Sequence, residues 1–274
     1  PLYPVVVRAA ALVVPGALAA VPATGQTRPE LLAVALVVSN VALAVALVAL
    51  YALMRARAGP AAARRAVWLL CLFPTTVFFS APYSESLFLL WLVLFFLALD
   101  RRRWSLAGVC GALASATLSL GVLLILPYLV CVWQSLPSPP TPLPGAGEGR
   151  SDATACSPSL RRWRGGWGVR ASLWPVALIP LGLLAYMLYL TLAWGNPLLF
   201  QQAEKAWGRS LAAPWVGIVD GLTWSLRLWP HLPQQNWRGF TDALYAVVFL
   251  GLTVVAWREI DWVERAYAVV FWLY

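Results

Sequence analysis

Phe78-Phe79-Ser80-Ala81-Pro82-Tyr83-Ser84-Glu85-Ser86-Leu87-Phe88 lies in the middle of a run from Ala66 to Leu99 that carries one formal charge, Glu85. A helix crosses a bilayer in roughly 20 residues. The run is too long for one span and suits two, folded back at Pro82. The turn then lies at a membrane face with an acid on it. An ionisable group at the mouth of a membrane bundle is a functional-site candidate. The bland reading is that Ser84 caps the following helix and Glu85 favours its N-terminus, together worth about 1 kcal/mol.

The rest of the chain supports the membrane class. Hydrophobic residues make up 61% of it and charged ones 11%. No soluble core of this size hides that much apolar surface. Alternating runs of about ten residues are missing, which argues against a barrel. The net charge of +9 comes from arginines that punctuate apolar runs, which reads as topology and argues against nucleic acid as a partner. Cys71, Cys110, Cys131 and Cys156 have no metal spacing and read as free thiols. No metal is indicated.

Expected segments follow in order. Leu2 to Val21, interrupted by Arg8, Pro15 and Gly16, is a span or an interfacial helix. Glu30 to Met54 is a span, followed by a basic loop with Arg55, Arg57, Arg64 and Arg65. After the Ala66–Leu99 hairpin come Arg101, Arg102 and Arg103. Trp104 to Trp133 is a second hairpin, turning at Thr117-Leu118-Ser119-Leu120-Gly121. Residues 136–169, rich in proline and glycine, are expected to be a disordered cytoplasmic linker. Ala171 to Trp194 and Ala243 to Trp257 are spans, with a charged loop from Arg258 to Arg265. Both ends read as cut, so residues 1–274 are expected to be a single transmembrane domain and a fragment.

Arginines orient this bundle. Arg55, Arg57, Arg64, Arg65, Arg101, Arg102, Arg103, Arg150, Arg161, Arg162, Arg164, Arg170, Arg258 and Arg265 fall in alternate loops, fourteen of the 20 basic residues. By the positive-inside rule these loops are cytoplasmic. Glu85 and residues 195–241 then face outward, in a multi-pass protein of the cell membrane. The outer segment 195–241 contains or borders Trp194, Trp207, Trp215, Trp224, Trp229 and Trp237, the residue type of the headgroup level. Trp215, Ile218, Val219, Leu222, Leu226 and Trp229 recur at helical spacing, with Asp220, Thr223 and Arg227 on another face. This describes an interfacial helix, either a surface anchor or a roof over a lipid-substrate site. In the second case Lys205, Arg209 and Arg227 could hold a phosphate.

On the sharper reading, Glu85 accepts hydrogen bonds from a sugar hydroxyl or helps position a base, and Tyr83 stacks on a sugar ring. A transferase would need another carboxylate: Glu30, Glu204, Asp220, Asp242 or one beyond this sequence. His231, beside prolines, reads as a solvated loop residue. Transport is the rival. It needs polar groups along a path through the spans, and Asn40 is the main one there, better suited to packing on a neighbouring helix.

The motifs Pro1-Leu2-Tyr3-Pro4, Ser39-Asn40, Phe73-Pro74-Thr75 with Phe78-Phe79, and Pro82-Tyr83-Ser84-Glu85-Ser86-Leu87-Phe88 resemble prokaryotic members of the PIG-V mannosyltransferase family. Arg102-Arg103-Trp104, Gly121-Val122-Leu123-Leu124 with Pro127, Asn196-Pro197-Leu198, Trp207-Gly208-Arg209 and Pro214-Trp215 add to the likeness. It runs from Pro1 to about Trp215. The resemblance implies an all-α, polytopic transmembrane helix bundle like the C-type glycosyltransferases, with amphipathic helices in outer loops. It implies mannosyl transfer on the outer face from a polyprenyl-phosphate sugar, a lipid-linked donor substrate, with no cofactor. It also places the main catalytic Asp in the first outer loop, before Pro1, so the fragment alone is expected to be inactive. The family carries Arg after Thr117, where this chain has Leu118. The candidate site residues are therefore Glu85 as the catalytic carboxylate of this stretch, with Tyr83, Ser84, Lys205, Trp207, Arg209, Asp220 and Arg227 for substrate. A transporter or flippase, or a non-catalytic remnant or accessory subunit, remain the alternatives.

Overall fold

The computed structural model describes residues 2–14, 29–135, 173–206 and 237–273, together with Val216, Val219 and Thr223. Among them every regular element is helical. The linker 136–169 and residues Trp207, Arg209, Asp220, Arg227 and His231 lie outside the described residues. The chain divides into two compact units, Pro1–Tyr186 and Met187–Tyr274.

The first unit is built on α2, Pro29–Leu72, and α4, Glu85–Asp100. α2 is two helices joined at Gly59, whose φ of +84° is in the region that favours glycine. Pro60, with its fixed φ and no N–H to lose, opens the second helix. The basic segment expected as a loop from Arg55 to Arg65 is therefore helical on both sides of a one-residue kink. The N-terminal arm of α2 buries Ala35, Ser39, Ala42, Ala46, Ala49 and Leu53, at alternating steps of four and three. That is a straight seam of small side chains. Its opposite face exposes Val37, Val41, Val45 and Val48. Small residues inside and bulky apolar ones outside is the inverse of a water-soluble helix. It is the pattern of helices that associate by close packing where burying apolar surface gains little.

α4 lays Leu87, Leu90 and Val93 on that unit's core. α2 and α4 run parallel, because they touch at matching ends. Ser39 Oγ donates to the Tyr83 carbonyl at one end. At the other, the Arg57 guanidinium takes both Asp100 oxygens, at 2.7 Å each. The return path is the C-terminal arm of α2, a 3-10 turn at Pro74–Thr76 and the short α3, Val77–Ser80. The hairpin expected from Ala66 to Leu99 is present, but its first arm breaks at Phe73-Pro74, where proline cannot continue the hydrogen-bond ladder. α1, Leu2–Ala11, packs Tyr3, Val7 and Ala11 against α2 and α4. At about 15 Å it is too short to span, and its Arg8 is exposed.

α5, Trp104–Thr117, ends at Leu118 in extended backbone, where the second hairpin was expected to turn. The 3-10 segment Ser119–Leu124 and α6, Ile125–Gln134, return. Gly121 makes that reversal possible: a Cβ there would lie 2.3 Å from the Ser115 backbone nitrogen. Tyr128 and Phe95 are fully buried, with ring centroids 6.4 Å apart. Trp104 meets Tyr128 edge-on at 5.7 Å. A 3-10 turn at Trp174–Ala177 leads into α7, Leu178–Trp194. It crosses α5 closely over Gly108, Gly111, Ser115 and Gly182, and Ser115 Oγ donates to the Ile179 carbonyl.

In the second unit α8, Leu199–Ala206, is followed by α9, Trp237–Ala256, and α10, Trp262–Leu273. α9 begins six residues before the expected span at Ala243. The charged loop is shorter than expected, since Trp262 to Arg265 are helical. Among the described residues two helices are long and apolar enough to cross a membrane, Pro29–Leu72 and Trp174–Trp194. Leu2–Ala11, Trp104–Thr117, Ser119–Gln134 and Leu244–Ala256 are shorter apolar helices. The hairpin expected at Trp104–Trp133 is present, and the helix at the expected span Ala243–Trp257 is longer at its start, Trp237–Ala256. Leu118 is the turn of that hairpin.

Gly182 offers a direct test of the α5–α7 crossing. A Cβ there would lie 2.0 Å from the Ala112 carbonyl oxygen, so Gly182→Val should cost about 3 kcal/mol and lower the melting temperature in detergent. Gly251 on α9 has nothing within 4 Å. Gly251→Ala should leave that temperature unchanged or raise it, by about 1 kcal/mol at most.

Candidate functional site

The turn between α3 and α4 has no regular structure of its own, so its shape comes from what it is tied to. Asn40, on α2, donates from Nδ2 to the Leu36 carbonyl at 2.8 Å and to the Ser80 carbonyl at 3.1 Å. Ser39 Oγ reaches the Tyr83 carbonyl at 3.3 Å. Ser86, fully buried, donates from Oγ to the Phe79 carbonyl. The Phe79, Ser80 and Tyr83 carbonyls lie in the last turn of the four-residue α3 or beyond it, where carbonyls lack intrahelical donors. The apolar α2 thus spends its two adjacent polar residues, Ser39 and Asn40, on fixing this turn.

Tyr3 of α1 completes the group. Its hydroxyl lies 2.8 Å from Ser39 Oγ and 3.0 Å from the Ala35 carbonyl. Burial pushes the Tyr3 phenol above its ordinary value. The Ser39 hydrogen bond opposes this shift, and the nearby charge of Glu85 adds to it. Glu85 follows by two residues the Tyr83 carbonyl that Ser39 holds.

Glu85 is the first residue of α4 and half-buried. Its Oε2 is buried and has no hydrogen-bond partner. A carboxylate oxygen out of water and unpaired is costly, about 1–3 kcal/mol or more, so such an atom calls for an explanation. Capping does not supply one. Ser84 already has helical backbone, φ −78° and ψ −11°, and makes no side-chain cap bond. A capping hydroxyl acts from extended backbone. The expected cap is therefore corrected. The favourable position of an acid in the first turn still holds.

Tyr83 is 51% exposed, beside the equally exposed Phe78, with ring centroids 6.0 Å apart and planes tilted by 56°. The two rings form an open aromatic edge next to Asn40. Tyr83, Ser84 and Glu85 are therefore together, as the sequence requires of neighbours. Lys205 lies in α8 of the second unit, and Glu30 stands exposed at the start of α2. Trp207, Arg209, Asp220 and Arg227 lie outside the described residues, as does His231. Leu118 is half-buried at the end of α5. Among the described residues no three His, Cys, Asp or Glu side chains gather to hold a metal ion. Cys71, Cys110 and Cys131 are free thiols.

Sequence reasoning did not place Tyr3, Ser39 or Asn40 in the site. The available signal was Ser39-Asn40, an adjacent polar pair in an apolar helix.

Compared with known families, residues 1–133 match the family described as mannosyltransferase (PIG-V). The match covers α1 to α6 and contains every residue of the cluster. No curated protein and no solved structure matches the chain.

Ser86→Ala tests how the turn is held. It removes a buried donor and orphans the Phe79 carbonyl, and should cost about 2 kcal/mol. Thermal unfolding in detergent reads this directly. An unchanged melting temperature would mean that the turn is held without Ser86.

Proposed function

We propose that this chain is a polytopic membrane mannosyltransferase of the PIG-V type, and that the Tyr3, Ser39, Asn40 and Pro82–Ser86 cluster is part of its active site. The observation that carries this is the unpartnered, buried Oε2 of Glu85 at the centre of the segment matched by the family. The donor is a sugar on a polyprenyl phosphate, and the acceptor presents a hydroxyl.

In the reaction the acceptor oxygen attacks C1 of the sugar, the C1–O bond to phosphate breaks, and the phosphate leaves on its lipid. The acceptor proton goes to a carboxylate. The resemblance assigns that base to an Asp of the first outer loop. Glu85 accepts the hydrogen bond of a substrate hydroxyl and holds it in line, a contact strengthened where water is excluded. Tyr83 and Phe78 offer a ring edge for the apolar face of a sugar, and Ser84 a hydroxyl beside it. The apolar flanks of α2, with Val37, Val41, Val45 and Val48 exposed, suit a bilayer and the isoprenoid tail of the donor.

The geometry of α2 and α4 fits a membrane protein with chemistry at one face. From Ser39 to Arg57 α2 rises about 27 Å, and from Glu85 to Asp100 α4 rises about 23 Å. Both distances are close to the hydrocarbon thickness of about 30 Å. Glu85 and the arginine cluster then occupy opposite faces. With arginines inside, Glu85 faces outward.

A non-catalytic accessory reading draws on one observation, Leu118 where the family carries arginine. It predicts no transfer by the full-length protein under any condition.

Glu85→Gln in the full-length protein should lower mannosyl transfer about a hundredfold, with membrane insertion unchanged. Transfer at the parental rate would reduce Glu85 to a helix-end acid. Sidedness is read separately. A cysteine introduced as Ser210→Cys, in a chain with its native cysteines replaced by serine, should react with an impermeant thiol reagent from outside intact cells. Labelling only after lysis would reverse the orientation.

A further inference from the structure

Three contacts join Tyr3, Ser39 and the turn, but the two hydroxyls have only two protons between them. The contacts are Tyr3 to the Ala35 carbonyl, Tyr3 to Ser39, and Ser39 to the Tyr83 carbonyl, at 3.0, 2.8 and 3.3 Å. The Ala35 carbonyl already receives the Ser39 N–H through the helix ladder. If Tyr3 gave its proton to Ala35 and Ser39 its proton to Tyr83, two lone pairs would face each other at 2.8 Å. If Ser39 turned its proton to Tyr3, the Tyr83 carbonyl would lose this donor. Each arrangement leaves one contact without a proton; when Tyr3 donates to Ser39 Oγ and Ser39 to the Tyr83 carbonyl, the contact left is the one to the Ala35 carbonyl, which keeps its helix donor.

This chain of donors is directional. It starts on α1, passes through the one seam position of α2 that carries a hydroxyl, and ends on the backbone two residues before Glu85. Ser39 and Tyr3 are both buried, so water does not substitute for either. The rest of α1 meets the core through apolar side chains, Val7 and Ala11 buried and Leu2, Val6 and Ala10 partly so.

We infer that Tyr3 is a positioning residue: through Ser39 it fixes the Tyr83 carbonyl, and so the direction in which Glu85 leaves the turn. α1 thereby becomes part of the catalytic apparatus without touching substrate. The inference rests on the reading of Glu85 given above. A misplacement of about 1 Å at a catalytic group is enough to cost up to a hundredfold in rate.

The test uses the full-length protein in proteoliposomes, with polyprenyl-phosphate mannose as donor and a membrane-lipid extract as acceptor. Tyr3→Phe should lower kcat about tenfold, leave KM within about twofold, and leave the melting temperature close to the parental one. Ser39→Ala should give the same fall, and the double variant should fall no further, since both break one chain. A lower melting temperature with unchanged kcat would make Tyr3 merely structural and overturn the inference. So would multiplying effects in the double variant. If Tyr3→Phe fails to fold, Ser39→Ala alone carries the kinetic comparison.

If Glu85→Gln proves inert, the reading of Glu85 falls, and a second measurement judges the positioning by itself. A cysteine placed by Ser84→Cys, with Cys71, Cys110, Cys131 and Cys156 replaced by serine, should react with a thiol reagent several-fold faster once Tyr3→Phe is added. An unchanged rate would overturn the latch.

Discussion

The parallel pairing of α2 with α4 is the constraint on which the first unit depends. Two helices that run parallel must be joined by a return path, and here it is the segment from Pro60 to Ser84. The pair is pinned at both ends by polar contacts of different kinds. Arg57 and Asp100 form a two-point ion pair that is partly exposed, with side chains 26% and 32% accessible. Such pairs are worth about 1 kcal/mol at most, so its use is in fixing register. At the other end the ties are neutral, from Ser39 and Asn40 to backbone carbonyls. Between the ends, the small seam of α2 lets the larger side chains of α4 come close. Close contact supplies the attraction that apolar burial cannot supply within lipid.

This arrangement makes the two ends chemically unlike. One end carries the basic stretches Arg55 to Arg65 and Arg101 to Arg103, with Arg57 paired to Asp100. The other holds Glu85 among hydroxyls, an amide and two exposed rings, with Glu30 exposed at the start of α2. At the arginine end the charge is partnered: Arg57 by Asp100, and Arg102 by the Trp104 ring at 5.7 Å. At the Glu85 end a carboxylate oxygen is buried without a partner. Structures tolerate such an atom where a ligand completes it, and that is why the functional reading is attached to this end.

The remaining helices of the first unit approach by omission of side chains. Gly108 on α5 and Gly182 on α7 leave room for opposing backbone, Gly111 for the Ile179 side chain, and Gly121 lets the chain fold onto the end of α5. These contacts hold α5 and the start of α7 at backbone distance, so their geometry tolerates little substitution. α1 is different. Ten residues long and joined to the core by three buried side chains, it owes its place to fit rather than length. Tyr3 is the only polar one of the three.

Much of this was legible in the sequence. The 61% hydrophobic content fixed an all-helical, membrane-type chain, because only helices or closed barrels satisfy the backbone without water. The turn at Pro82 to Glu85 and the reversal at Leu118 were visible as polar or small residues interrupting apolar runs. The acid on the turn marked it as the candidate site. Composition could not reveal that Arg55 to Arg65 is helix broken at one glycine, since charge marks exposure and not backbone state. Nor could it show that Ser84 fails to cap, because capping depends on a backbone angle. Above all, Tyr3 and Ser39 lie 36 residues apart, and Ser39 and Tyr83 lie 44 apart. No local pattern links positions so distant. The sequence alone determined which stretches are apolar helices and which of their turns carries a charge. Only the tertiary structure decided that α1, α2 and that turn meet, because hydrogen bonds between separate segments exist only once packing has brought them together.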